Sequence, residues 1–152
     1  MSLRSLIAVS VTALFGVFLV ACQKVVSRSD LPGAWVPQKS SRKWLKTTNS
    51  CQIVFQADGT FIASVPDYMM GTYDQDSGLT LSGKGQWVIE SDGVKLHFDE
   101  VNGKHVNWEA EPLQTQEDKD KVELFFYVKE EGGDRFVFER MPAQVAPQDA
   151  GK

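Results

Sequence analysis

From residue 51 onward, apolar and polar positions alternate along the chain. Cys51, Ile53 and Phe55 are separated by Gln52 and Val54, and Phe61, Ala63 and Val65 follow on one face. Trp87 with Ile89, then Val94, Leu96 and Phe98, then Val106 with Trp108 repeat the pattern. Val122, Leu124, Phe126 and Val128 make the longest stripe, and Phe136 and Phe138 complete it. Successive side chains of a strand point to opposite faces, so this alternation predicts short strands with one apolar face each. Upstream, Leu31-Pro32-Gly33-Ala34-Trp35 opens a first strand. A short helix is expected only within 39–46, where Trp44 and Leu45 sit among basic residues. Residues 66–78 read as a longer loop, with room for a short strand near Gly71–Tyr73.

The turns follow from register, because a one-residue slip moves every apolar side chain to the wrong face. Placing Phe55 opposite Phe61 leaves Ala57-Asp58-Gly59 as the loop. Placing Phe98 opposite Val106 leaves Val101-Asn102-Gly103, and Val128 opposite Phe136 leaves Glu131-Gly132-Gly133. Each puts Gly last, where a type I turn with a G1 bulge needs positive φ. Trp87 and Ile89 against Leu96 and Val94 leave a loop from Glu90 to Gly93.

Eight or nine short strands, all linkable as neighbouring hairpins, predict an all-β chain. A meander of this kind closes into a small antiparallel up-and-down β-barrel, and a two-sheet sandwich is the alternative. The stretch from Pro142 to Lys152, rich in Pro, Ala and Gln, carries no apolar period and is expected to be disordered.

The first 21 residues differ from this body. Arg4 is followed by an apolar run, Leu6 to Val20, broken only by Ser10, Thr12 and Gly16. The run is short for a membrane span and suits the apolar region of a signal peptide. It ends in Leu19-Val20-Ala21-Cys22. These four residues resemble, at every position, the lipobox of bacterial lipoproteins. The resemblance implies a diacylglyceryl thioether on Cys22, cleavage before it, and a membrane anchor of two or three acyl chains. Gln23 stands where Asp would favour inner-membrane retention, so the family rule implies an outer-membrane lipoprotein that faces the periplasm. The expected organisation is a signal peptide over 1–21, a lipidated tether over 22–30, a barrel domain over 31–141 and a tail over 142–152.

That reading changes the cysteine count. Cys22 and Cys51 are the two cysteines, and an exported chain would ordinarily pair them. With Cys22 acylated, Cys51 is left as a lone thiol on the apolar face of its strand, where a buried and inert cysteine is expected.

Charge refines the picture further. The formal net charge is −4, which gives no reason to expect nucleic-acid binding. Lys24, Arg28, Lys39, Arg42, Lys43 and Lys46 face Asp30 alone within 22–46, whereas 47–152 is strongly acidic. Such a basic segment suits either an anionic membrane surface or an ordinary solvated linker.

Gly33-Ala34-Trp35, the Asp58-Gly59-Thr60-Phe61 turn and Gly85-Gln86-Trp87 resemble lipocalin-like barrels, in which an early Gly-x-Trp opens the first strand. The resemblance implies a ligand cup, here lined by Trp35, Trp87 and Trp108 with Tyr68 and Met69 of the 66–73 loop at its rim. A barrel of this size filled by about ten large inward residues would have no cup.

Catalytic motifs are absent from the sequence, and a non-enzymatic protein without a cofactor is expected. His97 and His105 would be diagonal neighbours on the outward face with Asp99 between them, a set able to hold a divalent metal. Polar residues on a solvated strand face explain them equally simply, and no metal site is assigned. Phe125, Tyr127 and Val137 point away from the longest apolar stripe. They form either an exposed partner-binding patch or a surface covered by the 38–50 segment. Two functions remain open at this point: binding of a small hydrophobic ligand in the barrel, or binding of an envelope protein, as an enzyme inhibitor or assembly accessory would do.

Overall fold

A computed structural model describes residues 26–46, 51–70, 79–91, 93–118, 121–128 and 133–142. The chain is an all-β, small antiparallel up-and-down barrel. Its strands are β1 (Gly33–Pro37), β2 (Gln52–Phe55), β3 (Thr60–Pro66), β4 (Thr80–Glu90), β5 (Gly93–Val101), β6 (Lys104–Glu109), β7 (Gln114–Asp118), β8 (Lys121–Tyr127) and β9 (Arg135–Arg140). They form one sheet in the order β6-β5-β4-β3-β2-β1-β9-β8-β7. Every neighbour in that order is antiparallel.

The two edge strands, β6 and β7, are consecutive in the chain. The residues between them keep bonding to β5. Ala110 donates its N–H to Leu96 O, and Val94 and Leu113 exchange both backbone bonds at 2.8 and 2.9 Å. The two edges are thus halves of one bent stretch that pairs first with β5 and then with β8. This closure removes most of the exposed edge that an open sheet would present. Gly93 makes the approach possible: its φ is +141°, and a Cβ there would lie 2.1 Å from Leu113 O.

Three of the four expected registers need comment. Phe55 faces Phe61 as expected, and Gly59 closes the loop with φ +94°. Trp87 faces Leu96 and Ile89 faces Val94 as expected, but Glu90 also pairs with Gly93, which shortens the connection to two residues. At β5–β6 the expected three-residue loop is replaced. Val101 pairs with Lys104 across Asn102-Gly103, both at positive φ (49° and 76°), the geometry of a type I′ turn. A bulge in β6, where Val106 and Asn107 together oppose Asp99, absorbs the resulting slip, so Phe98 faces Trp108 and not Val106. At β8–β9, Phe126 and not Val128 faces Phe136. This slip of two residues keeps every side chain on its face, and it stacks the two rings with centroids 5.2 Å apart. Of that loop, Glu131 and Gly132 lie outside the described residues, as do Gly71–Tyr73.

Apolar inward residues of all parts of the sheet make one core. Trp35, Ile53, Phe55, Phe61, Leu96, Phe98, Leu124, Phe136 and Phe138 are essentially inaccessible to solvent. Trp35 meets Phe55 edge-on, Phe55 meets Trp87 edge-on, and Phe61 meets Phe98 at 4.9 Å. Such offset and T-shaped contacts add to the gain from removing the rings from water.

Three short segments close the barrel ends. At the end where β1 begins, Val26 and Leu31 are buried around a 3₁₀ turn, Arg28–Asp30. The Ser27 N–H donates to the Asp30 carboxylate at 2.9 Å. The expected tether over 22–30 is therefore part of the folded body from Val26 onward, and Cys22 with the leader lies outside the described residues. At the end where β1 finishes, a 3₁₀ turn at Ser41–Trp44 fills the place of the expected helix, and a second at Asp67–Met70 follows β3. Strand β1 separates Arg28 from Lys39, Arg42, Lys43 and Lys46, so the basic residues do not form one patch. Five residues of strand span roughly 17 Å.

Candidate functional site

The expected ligand cup is filled by its own walls. Trp35 is buried, and its indole N–H donates to Leu31 O at 2.8 Å. Trp87 is buried, donates to Gln56 O at 3.2 Å, and is capped by the Arg28 guanidinium 5.2 Å from its ring centre. Tyr68 and Met69, expected at an open rim, are buried as well. The Tyr68 ring packs 5.9 Å from Phe126 and 6.3 Å from Phe136, and its hydroxyl reaches Trp44 O. Burial, followed by the Cys51 and Asp67 charges, pushes the Tyr68 phenol up from its ordinary value. Met69 O accepts from the Glu111 N–H, tying the turn to the closing segment. A loop this rich in apolar atoms gains more by entering the barrel end than by rimming it. Trp108 alone of the five stays accessible, at 42%. It sits on β6, beyond the part of the chain that pairs with β8.

Cys51 is buried, and burial pushes its thiol up to about 12, so it is neutral and unreactive in the folded protein. The histidines are not brought onto a common carboxylate. The bulge moves Asp99 out of register: His97 faces Glu109, 3.4 Å away through Nδ1, and His105 faces Glu100. Among the described residues no group of three His, Cys, Asp or Glu is placed to hold a metal. Lys95 bridges Glu90 and Glu109 nearby, and those hydrogen bonds and charges hold its ammonium above its ordinary value.

The outer wall of β7–β9 is different. Phe125 and Val137 face each other there and are buried, while Tyr127 is 49% exposed. The expected patch thus shrinks to Tyr127. Its cover comes partly from the 38–44 segment, though not through Trp44 and Leu45, which pack on the interior core. Ser41 Oγ accepts from the Val137 N–H at 2.8 Å, and the Gln38 N–H donates to Val137 O. The Arg135 guanidinium lies 4.9 Å from the Phe125 ring centre, and Tyr127 meets that ring edge-on at 5.7 Å.

Beside this cover lies Glu123, only 7% exposed on the outward face of β8. A buried carboxylate must be hydrogen-bonded to be tolerated. Gln38 donates to Oε1, and Gln116 donates to Oε2 at 2.6 Å. Gln116 in turn accepts from Arg135. The chain Gln38–Glu123–Gln116–Arg135 forms the polar floor of an open groove of about 600 Å³. Glu117, Asp118, Asp134 and Ser40 add to its walls. Four carboxylates against one guanidinium make it acidic. It offers fixed acceptors and an amide floor, and none of its side chains is arranged as a nucleophile with a base.

Sequence reasoning missed this network. Glu123 carried a faint signal, as a single carboxylate on the outward side of the most apolar strand. Gln38 carried none, because Glu123 is 85 residues away, and Gln116 carried none, because β7, which sets it opposite Glu123, has no apolar alternation to reveal it.

No family model matches the chain, and no curated protein or solved structure matches it.

Proposed function

We propose that this is a lipid-anchored envelope lipoprotein, non-enzymatic and held in the outer membrane through Cys22, that binds a protein partner through its outer wall. The observation that carries the choice between ligand and protein is the filled interior. Four of the five residues expected to line a cup are spent on packing, and both buried indoles have given their N–H to backbone carbonyls. Binding then falls to the outside, where the groove floored by Glu123 and the exposed Tyr127 lie on the same two strands. The excess of carboxylates suits a partner segment carrying Lys or Arg and backbone donors. The anchor rests on Leu19-Val20-Ala21-Cys22 at the end of the apolar leader.

The test has two arms. A photo-crosslinking amino acid placed at Ser40 or Asp134, on the groove walls, should yield a discrete protein adduct in intact cells, and one at Asn102, in the β5–β6 turn, should not. Native mass spectrometry of the purified protein should show no bound lipid beyond the anchor itself. A stoichiometric co-purified lipid, with no adduct from the groove, would overturn the protein-binding reading in favour of a small hydrophobic ligand reached past Trp108.

A further inference from the structure

Apart from Phe125, Tyr127 and Val137, the outer wall carries a second apolar row, on β1–β3. Ala34, Val54 and Ile62 are direct cross-strand partners on β1, β2 and β3. Met141 extends the row, since its N–H donates to Ala34 O. Ile62 is 55% exposed and Met141 41% exposed. At about 4.8 Å per strand, the row spans roughly 14 Å. Lys84, exposed, stands beside Ile62 as its cross-strand partner and is bridged to Glu100, while Arg140, next to Met141 in the chain, is bonded to Pro32 O.

The position of the row gives it meaning. It lies within two residues of Gly33 and Thr60, at the end of the barrel where the chain enters through Val26. Only three residues separate Val26 from Cys22. Fully extended, that connection reaches at most about 14 Å. An acylated Cys22 sits at the lipid surface, so this end of the barrel is held against it. A short tether also raises the effective concentration of the surface, so a row too small to bind membrane unaided still docks.

We propose that the row Met141–Ala34–Val54–Ile62 is a membrane-docking surface, seated on the same bilayer leaflet that carries the Cys22 anchor. This inference rests on the lipoprotein reading. It fixes the orientation of the molecule. The groove's partner is met at the wall that β7, β8 and β9 form.

The experiment uses the full-length gene product, purified from membranes and reconstituted in vesicles of phosphatidylethanolamine and phosphatidylglycerol containing a nitroxide-labelled lipid. Ile62→Cys and Asn102→Cys variants are labelled with a thiol-reactive fluorophore; Cys51 is buried and does not compete. Quenching at Ile62 should exceed that at Asn102 several-fold. Met141→Cys repeats the measurement at the other end of the row and should behave as Ile62→Cys does. Intact mass of the same samples reads the acyl chains. Acylated protein with equal quenching at both ends would overturn the docking surface and leave the anchor standing. Protein without acyl chains would overturn the anchor, and the docking inference with it.

Discussion

The two faces of the β8–β9 hairpin are both closed to water, by opposite means. Inward, Phe126, Phe136 and Phe138 lie within 5.1 to 6.4 Å of one another and meet Tyr68 from the barrel end. Outward, Glu123, Phe125 and Val137 are covered by side chains that carry hydrogen bonds: Gln38, Ser41, Gln116 and Arg135. The inner face owes its stability to removed apolar area, which is indifferent to direction. The outer face depends on satisfied donors and acceptors, which contribute little net energy and cost much when one partner is lost. A binding protein can spare the second kind of surface for recognition without loosening the first.

The strongest way to break this contrast is to empty the inner stack. Phe136→Ala removes a fully buried ring that faces Phe126 and touches Phe138 and Tyr68. It should cost about 3–5 kcal/mol in denaturant unfolding. Next, Glu123→Ala leaves the Gln38 and Gln116 amides without their acceptor and should cost about 1–3 kcal/mol. Glu123→Gln keeps the shape and should cost less. If Glu123→Ala proved as costly as Phe136→Ala, the outer face would be core in the same sense as the inner.

The difference between the faces also governs what could be read beforehand. Alternation located eight of the nine strands and most of their inward residues, because burial of one face acts on every second position, but β7 (Gln114–Asp118) holds no apolar residue and went unread. The β2–β3 turn was legible because its chemistry is local: Asp58 accepts from the Thr60 N–H and hydroxyl at 2.9 and 2.7 Å, bonds that hold its carboxyl below its ordinary value. The β5–β6 turn was misread because Asn102-Gly103 imposes its own tight geometry, and the conflict is relieved a few residues away, at the Val106–Asn107 bulge of β6. Loop length at β8–β9 was misread because ring stacking, a tertiary preference, chose between two registers with the same faces. The groove was illegible for a related reason. Gln38 and Glu123 are 85 residues apart, and nothing in the neighbourhood of either one announces the other.

The inner face should also announce itself in alkaline solution. The Cys51 thiol is raised from about 9 to about 12 by burial. The neutral thiol is thus favoured in the folded state, and its contribution is fully present below pH 9 and lost as pH rises from 9 towards 12. At pH 10 the loss should be about 1 kcal/mol. Unfolding at a series of pH values reads it, and Cys51→Ala should flatten the slope. Tyr68, raised in the same direction, leaves a residual slope at higher pH. Thiol labelling at neutral pH should proceed only as fast as the protein opens.

The smallest effect belongs to Tyr127, the aromatic residue that, among the described residues, the outer wall leaves half in water. Tyr127→Ala removes an edge-on contact with Phe125, worth about 0.5–1 kcal/mol. The ring is 49% exposed, so little buried area is lost with it. The expected stability change is therefore at most about 1 kcal/mol, within reach of a thermal shift. Loss of the crosslinked adduct from the groove walls in the same variant would mean that the partner, and not the barrel, uses this ring. A loss of stability near that of Phe136→Ala would instead mean that Tyr127 is structural. The outer wall would then have no aromatic side chain to spare for recognition.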